Sequence, residues 1–110
     1  MATAGVGNEQ DFVKELVAAN PIMVFSKTYC PYCKKAKNAL SKIGASFKVL
    51  ELDNESNGAT IQDTLLAMTG QRTVPNVFVG GKSIGGGTET EQLQRSGELV
   101  NMARAAGALA

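Results

Sequence analysis

The stretch that determines the architecture covers residues 22–52 and reads IMVFSKTYCPYCKKAKNALSKIGASFKVLEL. It begins with an apolar run over residues 22–25, whose length is typical of a buried strand. Apolar residues then recur at spacings of three and four, which predicts a helix over residues 31–43, ended by Gly44. Residues 47–52 predict a second strand. A strand, a helix and a strand in this order form a βαβ unit, so the two strands are expected to be parallel.

The segments outside this unit predict further helices and a hairpin. Residues 8–19 have the apolar spacing of an amphipathic helix, which ends before Pro21. A third helix contains Ile61 and ends at Gly70. Residues 76–84 contain two short strand-forming runs separated by a Gly-Gly pair, which is typical of an antiparallel hairpin.

Two more helices are predicted towards the C-terminus. Thr88 and Glu91 have the spacing of a capping box, so a helix is expected to begin at Thr88. A last helix follows a break at Gly97. The elements together predict a single α/β domain over residues 1–110, with a mobile N-terminus over residues 1–7. A four-stranded mixed sheet flanked by about five helices is typical of a thioredoxin-like fold.

Composition and charge exclude several classes of function. Of the 110 residues, 44% are hydrophobic and 19% are charged, which is ordinary for a soluble globular domain. The net charge of +1 gives no overall attraction to nucleic acid or to an anionic membrane. No run of residues reaches the roughly 18 apolar positions of a membrane-spanning helix. The N-terminal residues lack the pattern of a targeting peptide, so a cytoplasmic location is expected.

The reactive groups are limited to sulfur and carboxylates, because the chain has two cysteines and no histidine. Both cysteines lie in the tetrapeptide Cys30-Pro31-Tyr32-Cys33. A zinc site would need further cysteine or histidine ligands, so no metal is expected. A purely structural disulfide across so short a loop would add little stability, because the stabilisation grows with loop length. Redox catalysis is therefore the favoured interpretation, and an inert disulfide stays as the alternative.

Cys30 is predicted to be the nucleophile of the pair. Only a thiolate attacks a disulfide, and Cys30 is expected at the N-terminal end of the second helix, where backbone N–H groups and the helix dipole favour negative charge. Four lysines with no acidic residue near them add positive charge. They are Lys27, Lys34, Lys35 and Lys37. Cys33, one turn into the helix, is expected to be more deeply buried and to act as the resolving thiol.

Three segments of the chain resemble the glutaredoxins, a family of the thioredoxin superfamily. Thioredoxins typically have a Trp before a Gly-Pro pair between their cysteines, whereas this chain has no Trp and reads Cys30-Pro31-Tyr32-Cys33. Residues 71–79, QRTVPNVFV, and residues 84–89, IGGGTE, also resemble glutaredoxin segments in order and spacing. The chain is therefore identified as a member of the dithiol, CPYC-type glutaredoxins, and the resemblance covers residues 10–105.

The resemblance implies a glutathione-binding site. The expected glutathione-binding residues are Lys27, Cys30, Tyr32, Gln62, Thr73, Val74, Pro75, Gly86, Gly87 and Thr88. Lys27 and Gln62 are expected to bind the glycine end of the tripeptide, and Tyr32 to flank its sulfur. Val74 is expected to pair with the cysteinyl part through its backbone N–H and C=O groups, next to a cis peptide bond before Pro75.

The glycine-rich segment is expected to bind the other end of glutathione. Glycines at positions 85–87 allow the backbone to approach a ligand closely. Thr88, at a helix start, can offer its N–H and hydroxyl groups to the γ-glutamyl carboxylate. The chain departs here from many glutaredoxins, which have Cys, Ser or Asn before an acidic pair where this chain reads Gly87-Thr88-Glu89.

The activity implied by the resemblance is glutathione-dependent thiol–disulfide exchange. Cys30 is expected to take glutathione from a glutathionylated protein, and a second glutathione to release it, whereas protein disulfides also need Cys33. The expected partners are glutathione and glutathionylated or disulfide-containing proteins, with the enzyme acting as a monomer. Two alternatives stay open. One is reduction by a thioredoxin-reductase-type partner, and the other is a [2Fe-2S] cluster that bridges two copies of the chain with two glutathiones.

Overall fold

The computed structural model of the chain describes residues 6–109, so residues 1–5 of the predicted mobile N-terminus lie outside the described residues. Five α-helices and four strands follow one another in this part of the chain. They are α1 (Val6–Ala19), β1 (Ile22–Ser26), α2 (Pro31–Lys42), β2 (Lys48–Glu51), α3 (Gly58–Thr69), β3 (Asn76–Val79), β4 (Lys82–Gly85), α4 (Gly87–Ser96) and α5 (Glu98–Ala106). None of the described helices is both long and apolar enough to cross a bilayer.

The four strands form one mixed sheet in the order β2-β1-β3-β4. β1 and β2 are parallel, with Val24 opposite Val49, as the βαβ pattern predicts. β1 and β3 are antiparallel, with Val24 opposite Val77. β3 and β4 form the predicted antiparallel hairpin. All five residues of β1 are buried, and this central strand leads directly into the cysteine loop.

Helices cover both faces of the sheet. Alternate residues of β1 point to opposite sides, so the strand contributes side chains to the packing on each face. Ile22 and Val24 belong to a buried cluster that also contains residues of α2 and α5. Met23 and Phe25 belong to a second cluster, which contains residues of α1 and α3. In this second cluster the rings of Phe25 and Phe78 meet edge to face, with centroids 5.7 Å apart. The sheet is thus held between two helical layers, and the start of α2 lies where β1 ends.

Candidate active site

Cys30 is the N-cap residue of α2. Its backbone is extended (φ −88°, ψ 117°), and the Cys33 N–H donates to its sulfur at 3.2 Å. The Cys30 N–H donates to the Lys27 carbonyl at 3.2 Å, which closes the turn between β1 and α2. Pro31 occupies the first turn of the helix, where a missing N–H leaves no acceptor unsatisfied. The Cys30 sulfur therefore replaces a capping oxygen, at a helix end that favours negative charge.

Cys33 lies one turn further along α2 and is completely buried, whereas 8% of Cys30 is exposed. Burial is the main cause that raises the pKa of the Cys33 thiol from 9.0 to about 11, and the hydrogen bond with Cys30 adds to the rise. The Ser26 hydroxyl and the Lys27 backbone oppose this rise in pKa. The two thiols are free and unequal: Cys30 reaches solvent, and Cys33 keeps its proton at neutral pH.

Two of the four lysines near the cysteine pair, Lys27 and Lys37, have acidic neighbours, so the expectation that no acidic residue lies near them is wrong. Lys37 Nζ lies 2.6 Å from Glu51 Oε2, which pairs its charge. On the other side, Asp53 accepts hydrogen bonds from the Thr28 N–H at 3.1 Å and from the Thr28 hydroxyl. The Thr28 hydroxyl is the main cause that lowers the pKa of Asp53, and the charge of Lys27 contributes. Both acids belong to β2 and the turn after it, far from the cysteines in sequence.

Aromatic side chains flank Cys30 in the sequence and are exposed in the structure. Tyr32 is 53% exposed, and Lys35 Nζ lies 5.0 Å from the centroid of its ring, within the range of a cation–π interaction. Tyr29 is 69% exposed and was not among the predicted site residues. The residues on both sides of the reactive sulfur therefore present flat apolar surface to a partner.

The loop before β3 brings backbone groups to Cys30. The peptide bond between Val74 and Pro75 is cis, as the resemblance implied. Cys30 Sγ lies 3.7 Å from the Val74 carbonyl oxygen, to which the thiol donates a weak hydrogen bond. Gln62 is buried, and its side-chain amide donates to the Arg72 carbonyl at 3.0 Å. The structure thus assigns Gln62 a role in holding this loop, and its role in binding a ligand stays a prediction.

Gln71 holds the same loop and was missed as a site residue. Its Nε2 donates to the carbonyl oxygens of Thr73 and Pro75, both at 2.9 Å. These carbonyls lie on either side of Val74, so one amide group fixes the curvature of the loop around the residue that faces Cys30. No sequence pattern indicates this role, because both acceptors are backbone atoms that only the folded loop brings to the amide.

Helix α4 begins beside the first turn of α2. A Cβ on Gly87 would lie 2.4 Å from the Tyr32 carbonyl oxygen, which is closer than any side chain permits. Glycine is therefore required at this position, and the N-terminal ends of the two helices lie in direct contact. The helix starts at Gly87, one residue before the predicted position. The sequence pattern missed this start because the contact between Gly87 and Tyr32 depends on tertiary packing.

The predicted capping box of Thr88 and Glu91 is wrong. The N-cap residue of α4 is Gly86, whose N–H donates to Glu89 Oε1 at 2.8 Å. Glu91 instead lies 3.5 Å from Arg95, one turn along the helix. A capping box has a Ser or Thr at the N-cap, whose side chain accepts a hydrogen bond from the third helical residue. Gly86 has no side chain, so the sequence pattern did not identify it as the N-cap. Glu89 therefore fixes the glycine turn, and Thr88 is exposed in the first turn of α4.

A groove of about 380 Å³ lies between the start of α2, the loop before β3 and the start of α4. Most of the predicted glutathione-binding residues line it, namely Tyr32, Thr73, Val74, Pro75, Gly86, Gly87 and Thr88. Gln71 and Glu89 line it as well. Lys27, Cys30 and Gln62 are not part of the lining, although Cys30 contacts Val74. We refer to this space as the cysteine groove.

The chemistry that this arrangement supports is sulfur exchange. Gly87, Thr88 and Glu89 of the first turn of α4 line the cysteine groove, and the backbone N–H groups of a helix start bind anions such as carboxylates. A cysteine at a helix N-terminus that keeps a small exposed fraction, with a fully buried thiol one turn away, supplies the two sulfurs that disulfide exchange requires. Across residues 6–109, no three cysteine or acidic side chains are grouped as a metal ion would need.

Comparison with known proteins gives consistent matches. The glutaredoxin family model matches residues 22–84, which is more than half of the chain. A glutaredoxin of Solanum lycopersicum is 56% identical over 97 residues, which cover 88% of this chain and 90% of the tomato protein. Glutaredoxin-C2 of Arabidopsis thaliana is 54% identical over 97 residues, which cover 88% of this chain and 87% of that protein.

The structure is also similar to solved glutaredoxins. The crystal structure of a buckwheat glutaredoxin–glutathione complex matches with a TM-score of 0.94 at 45% sequence identity, and the match covers 100% of both chains. The protein in that crystal binds glutathione. The predicted thioredoxin-like fold, a four-stranded mixed sheet with five helices, is confirmed by this match.

Proposed function

The chain belongs to the glutaredoxin family and is a thiol–disulfide oxidoreductase, and from this premise we propose that it reduces protein–glutathione mixed disulfides and protein disulfides, with glutathione as the reductant. The observation that carries the proposal is the inequality of the two thiols. Cys30 is accessible and accepts the Cys33 N–H, whereas Cys33 is buried and has a raised pKa. One sulfur is thus placed to attack a substrate, and the other to act in a second step.

Removal of glutathione from a protein requires Cys30 alone. The Cys30 thiolate attacks the glutathione sulfur of the mixed disulfide, so that a new bond joins Cys30 to glutathione. The protein sulfur leaves as a thiolate and takes up a proton. The thiolate of a second glutathione then attacks the sulfur of the glutathione bound to Cys30. Oxidised glutathione leaves, and Cys30 returns to the thiolate form.

Reduction of a protein disulfide requires both cysteines. Cys30 first forms a mixed disulfide with one protein sulfur, and the other protein sulfur leaves as a thiolate. Cys33 then loses its proton and attacks Cys30, which releases the second protein sulfur and leaves a Cys30–Cys33 disulfide. Two glutathiones return this disulfide to two thiols and leave as oxidised glutathione. Burial raises the pKa of Cys33, so the loss of its proton has to precede this second attack.

The cysteine groove is the proposed site for glutathione. The buckwheat complex supports this proposal, because a protein of the same fold binds the same tripeptide. Val74, whose carbonyl contacts Cys30, offers backbone groups to the cysteinyl part. The start of α4 offers N–H groups to the γ-glutamyl carboxylate, and Lys27 offers a cation to the glycine carboxylate.

The test compares three proteins in the glutathione-dependent reduction of a small mixed disulfide between glutathione and β-mercaptoethanol. They are the parent, Cys30→Ser and Cys33→Ser. We expect Cys30→Ser to lose turnover, because it lacks the attacking sulfur. Cys33→Ser should retain turnover of the small mixed disulfide and lose the reduction of a protein disulfide. Turnover retained in Cys30→Ser would overturn the assignment of the nucleophile.

A further inference from the structure

The seam between α2 and α4 continues beyond the cysteine groove. At its start, Gly87 lies against the Tyr32 carbonyl, and Tyr32 and Thr88 line the cysteine groove. In the later turns of the same two helices a second groove opens, with a volume of about 560 Å³. Lys42 of α2 and Gln94 of α4 line this second groove. The two helices therefore run in the same direction, and the second space, which we name the α2–α4 groove, lies further along the same seam.

One wall of the α2–α4 groove is basic. Lys35 and Lys42 line it and are both exposed, with Asn38 and Ser41 between them. The two lysines are seven residues apart, so they lie on the same face of α2, separated by about 10 Å along its axis. Helix α2 has the sequence PYCKKAKNALSK and contains no acidic residue. Both lysines are exposed, and the ammonium group of Lys35 also lies 5.0 Å from the centroid of the Tyr32 ring, at the start of the groove.

The opposite wall contributes one acidic group, which has a cationic neighbour. Glu91 lines the groove from α4, and its carboxylate lies 3.5 Å from Arg95. Gln94 completes this wall with an uncharged amide. A third lysine of α2, Lys37, is committed to Glu51 on the other side of the helix. The balance of charge in the α2–α4 groove is therefore positive.

We propose that the α2–α4 groove binds an acidic stretch of the substrate polypeptide whose cysteine reacts with Cys30. This inference rests on the proposed function, because it requires a disulfide-linked polypeptide at the cysteine pair. The groove lies further along the same seam between α2 and α4 as the cysteine groove, which suits an extended chain. An extended chain advances about 3.3 Å per residue and points alternate side chains to opposite sides, so carboxylates four residues apart share one face and lie about 13 Å apart, within reach of the flexible side chains of Lys35 and Lys42.

The same geometry gives the position of the acidic residues relative to the substrate cysteine. Lys35 is five residues and Lys42 twelve residues beyond Cys30, which corresponds to about 8 Å and about 18 Å along the helix axis. An extended chain covers these lengths in about two and about six residues. Substrates with Asp or Glu at about the second and sixth positions from the reactive cysteine are therefore favoured.

The experiment measures kcat/KM for synthetic peptides glutathionylated at a single cysteine. One peptide carries Asp at the second and sixth positions after the cysteine, another carries Asp at the same distances before it, and a third has Asn at these positions. For the parent we expect one of the two acidic peptides to exceed the Asn peptide about threefold at low salt, since exposed ion pairs are individually weak. High salt should remove the difference because it screens exposed charges.

Two charge reversals give the matched comparison. Lys42→Glu reverses the charge of a lysine that lines the α2–α4 groove and lies ten residues beyond Tyr32. Lys14→Glu reverses the charge of an exposed lysine of α1, on the opposite face of the sheet. Lys42→Glu should abolish the preference for the acidic peptide and leave turnover of the small mixed disulfide unchanged. Lys14→Glu should keep the preference. A preference that survives in Lys42→Glu, or that both reversals weaken equally, overturns the proposal.

Binding without turnover separates this proposal from the proposed function. The acidic peptide, with serine in place of its cysteine, is titrated into the ¹⁵N-labelled parent and into Lys42→Glu. We expect amide shifts at the residues of the α2–α4 groove in the parent and their loss in the variant. If the parent fails to turn over the small mixed disulfide, the proposed function fails while this titration still tests the groove. Equal shifts with inorganic phosphate would identify a general anion site instead and contradict a peptide site.

Discussion

One helical turn separates two cysteines whose environments differ. Cys30 caps α2 and meets solvent, whereas Cys33 has no exposed surface. The sequence correctly predicts that Cys33 is more deeply buried than Cys30, because the apolar spacing of α2 places Cys33 on the face that packs on the sheet. The energetic consequence for Cys33 required the structure. Burial, the contact with Cys30 and the opposing Ser26 hydroxyl together set the pKa of the thiol.

The raised pKa of Cys33 predicts a loss of stability at high pH. The unfolded chain releases the Cys33 proton near pH 9.0, whereas the folded protein holds it until about pH 11. Below pH 9 both states are protonated, and the full stability is present. Between pH 9 and 11 only the unfolded state gains from losing the proton, so the free energy of unfolding falls by on the order of 2 kcal/mol.

Urea unfolding of the reduced protein at pH 8, 9, 10 and 11 measures this loss. Cys33→Ser serves as the control, because it keeps every other ionisable side chain of the parent. We expect the parent to lose more stability than the variant between pH 9 and 11, and the two to change in parallel below pH 9. Parallel curves over the whole range would show that burial does not raise the pKa of Cys33.

At the scale of elements, the loop before β3 is held by side chains from outside the strand. Gln62 of α3 bonds the Arg72 carbonyl, and Gln71 bonds the carbonyls on both sides of Val74. Asn76, the first residue of β3, is fully buried and donates to the Thr69 hydroxyl at the end of α3. The position of the Val74 backbone next to Cys30 is therefore set by amide groups that bond to main-chain or hydroxyl oxygens.

Gln71→Leu should weaken substrate binding more than it changes the fold. The substitution removes both hydrogen bonds to the loop and leaves two carbonyls without their donor. A lost hydrogen bond costs about 1 kcal/mol, so we expect kcat/KM for the small glutathione mixed disulfide to fall about three- to tenfold. The fall should come mainly from KM, because Gln71 lies away from the reacting sulfurs.

Gln92→Leu is the matched control, since Gln92 is an exposed glutamine of α4 outside the cysteine groove. Its kcat/KM should stay near that of the parent. Rescue is the second comparison: Gln71→Asn keeps an amide on a shorter side chain and should recover part of the activity only if a donor is needed. An unchanged KM in Gln71→Leu would remove Gln71 from the set of positioning residues.

The helices and strands were predictable where their signals are local. The βαβ unit over residues 22–52 was predicted because apolar spacing and the glycine after α2 act over a few residues. The start of α4 was not, because it depends on the contact of Gly87 with the Tyr32 carbonyl. Gln71 and Glu89 were missed for the same reason: their partners are backbone atoms placed by the fold of a loop or turn.

At the scale of the whole molecule, β1 connects two core clusters. Ile22 belongs to the cluster beneath α2 and α5, and Met23, its neighbour in sequence, belongs to the cluster beneath α1 and α3. Both side chains are fully buried. The cysteine groove is assembled from elements of both layers, because α3 holds the loop before β3 while α2 and α4 supply the other walls. Its geometry therefore depends on both clusters at once.

We predict that the two clusters unfold together, as one cooperative unit. Ile22→Ala and Met23→Ala each leave a cavity, which lowers the free energy of unfolding by about 2–5 kcal/mol. A domain of this size has a total stability of about 5–15 kcal/mol, so either variant stays folded with a small margin. Within each variant, the amide NMR signals of α3 and those of α5 should disappear at the same urea concentration, because residues of one strand belong to both clusters.

Leu66→Ala, at an exposed leucine of α3, is the control and should lower the free energy of unfolding much less. If the α3 signals disappear before those of α5 in Met23→Ala, the two layers unfold separately, and residues 6–109 do not act as one cooperative unit.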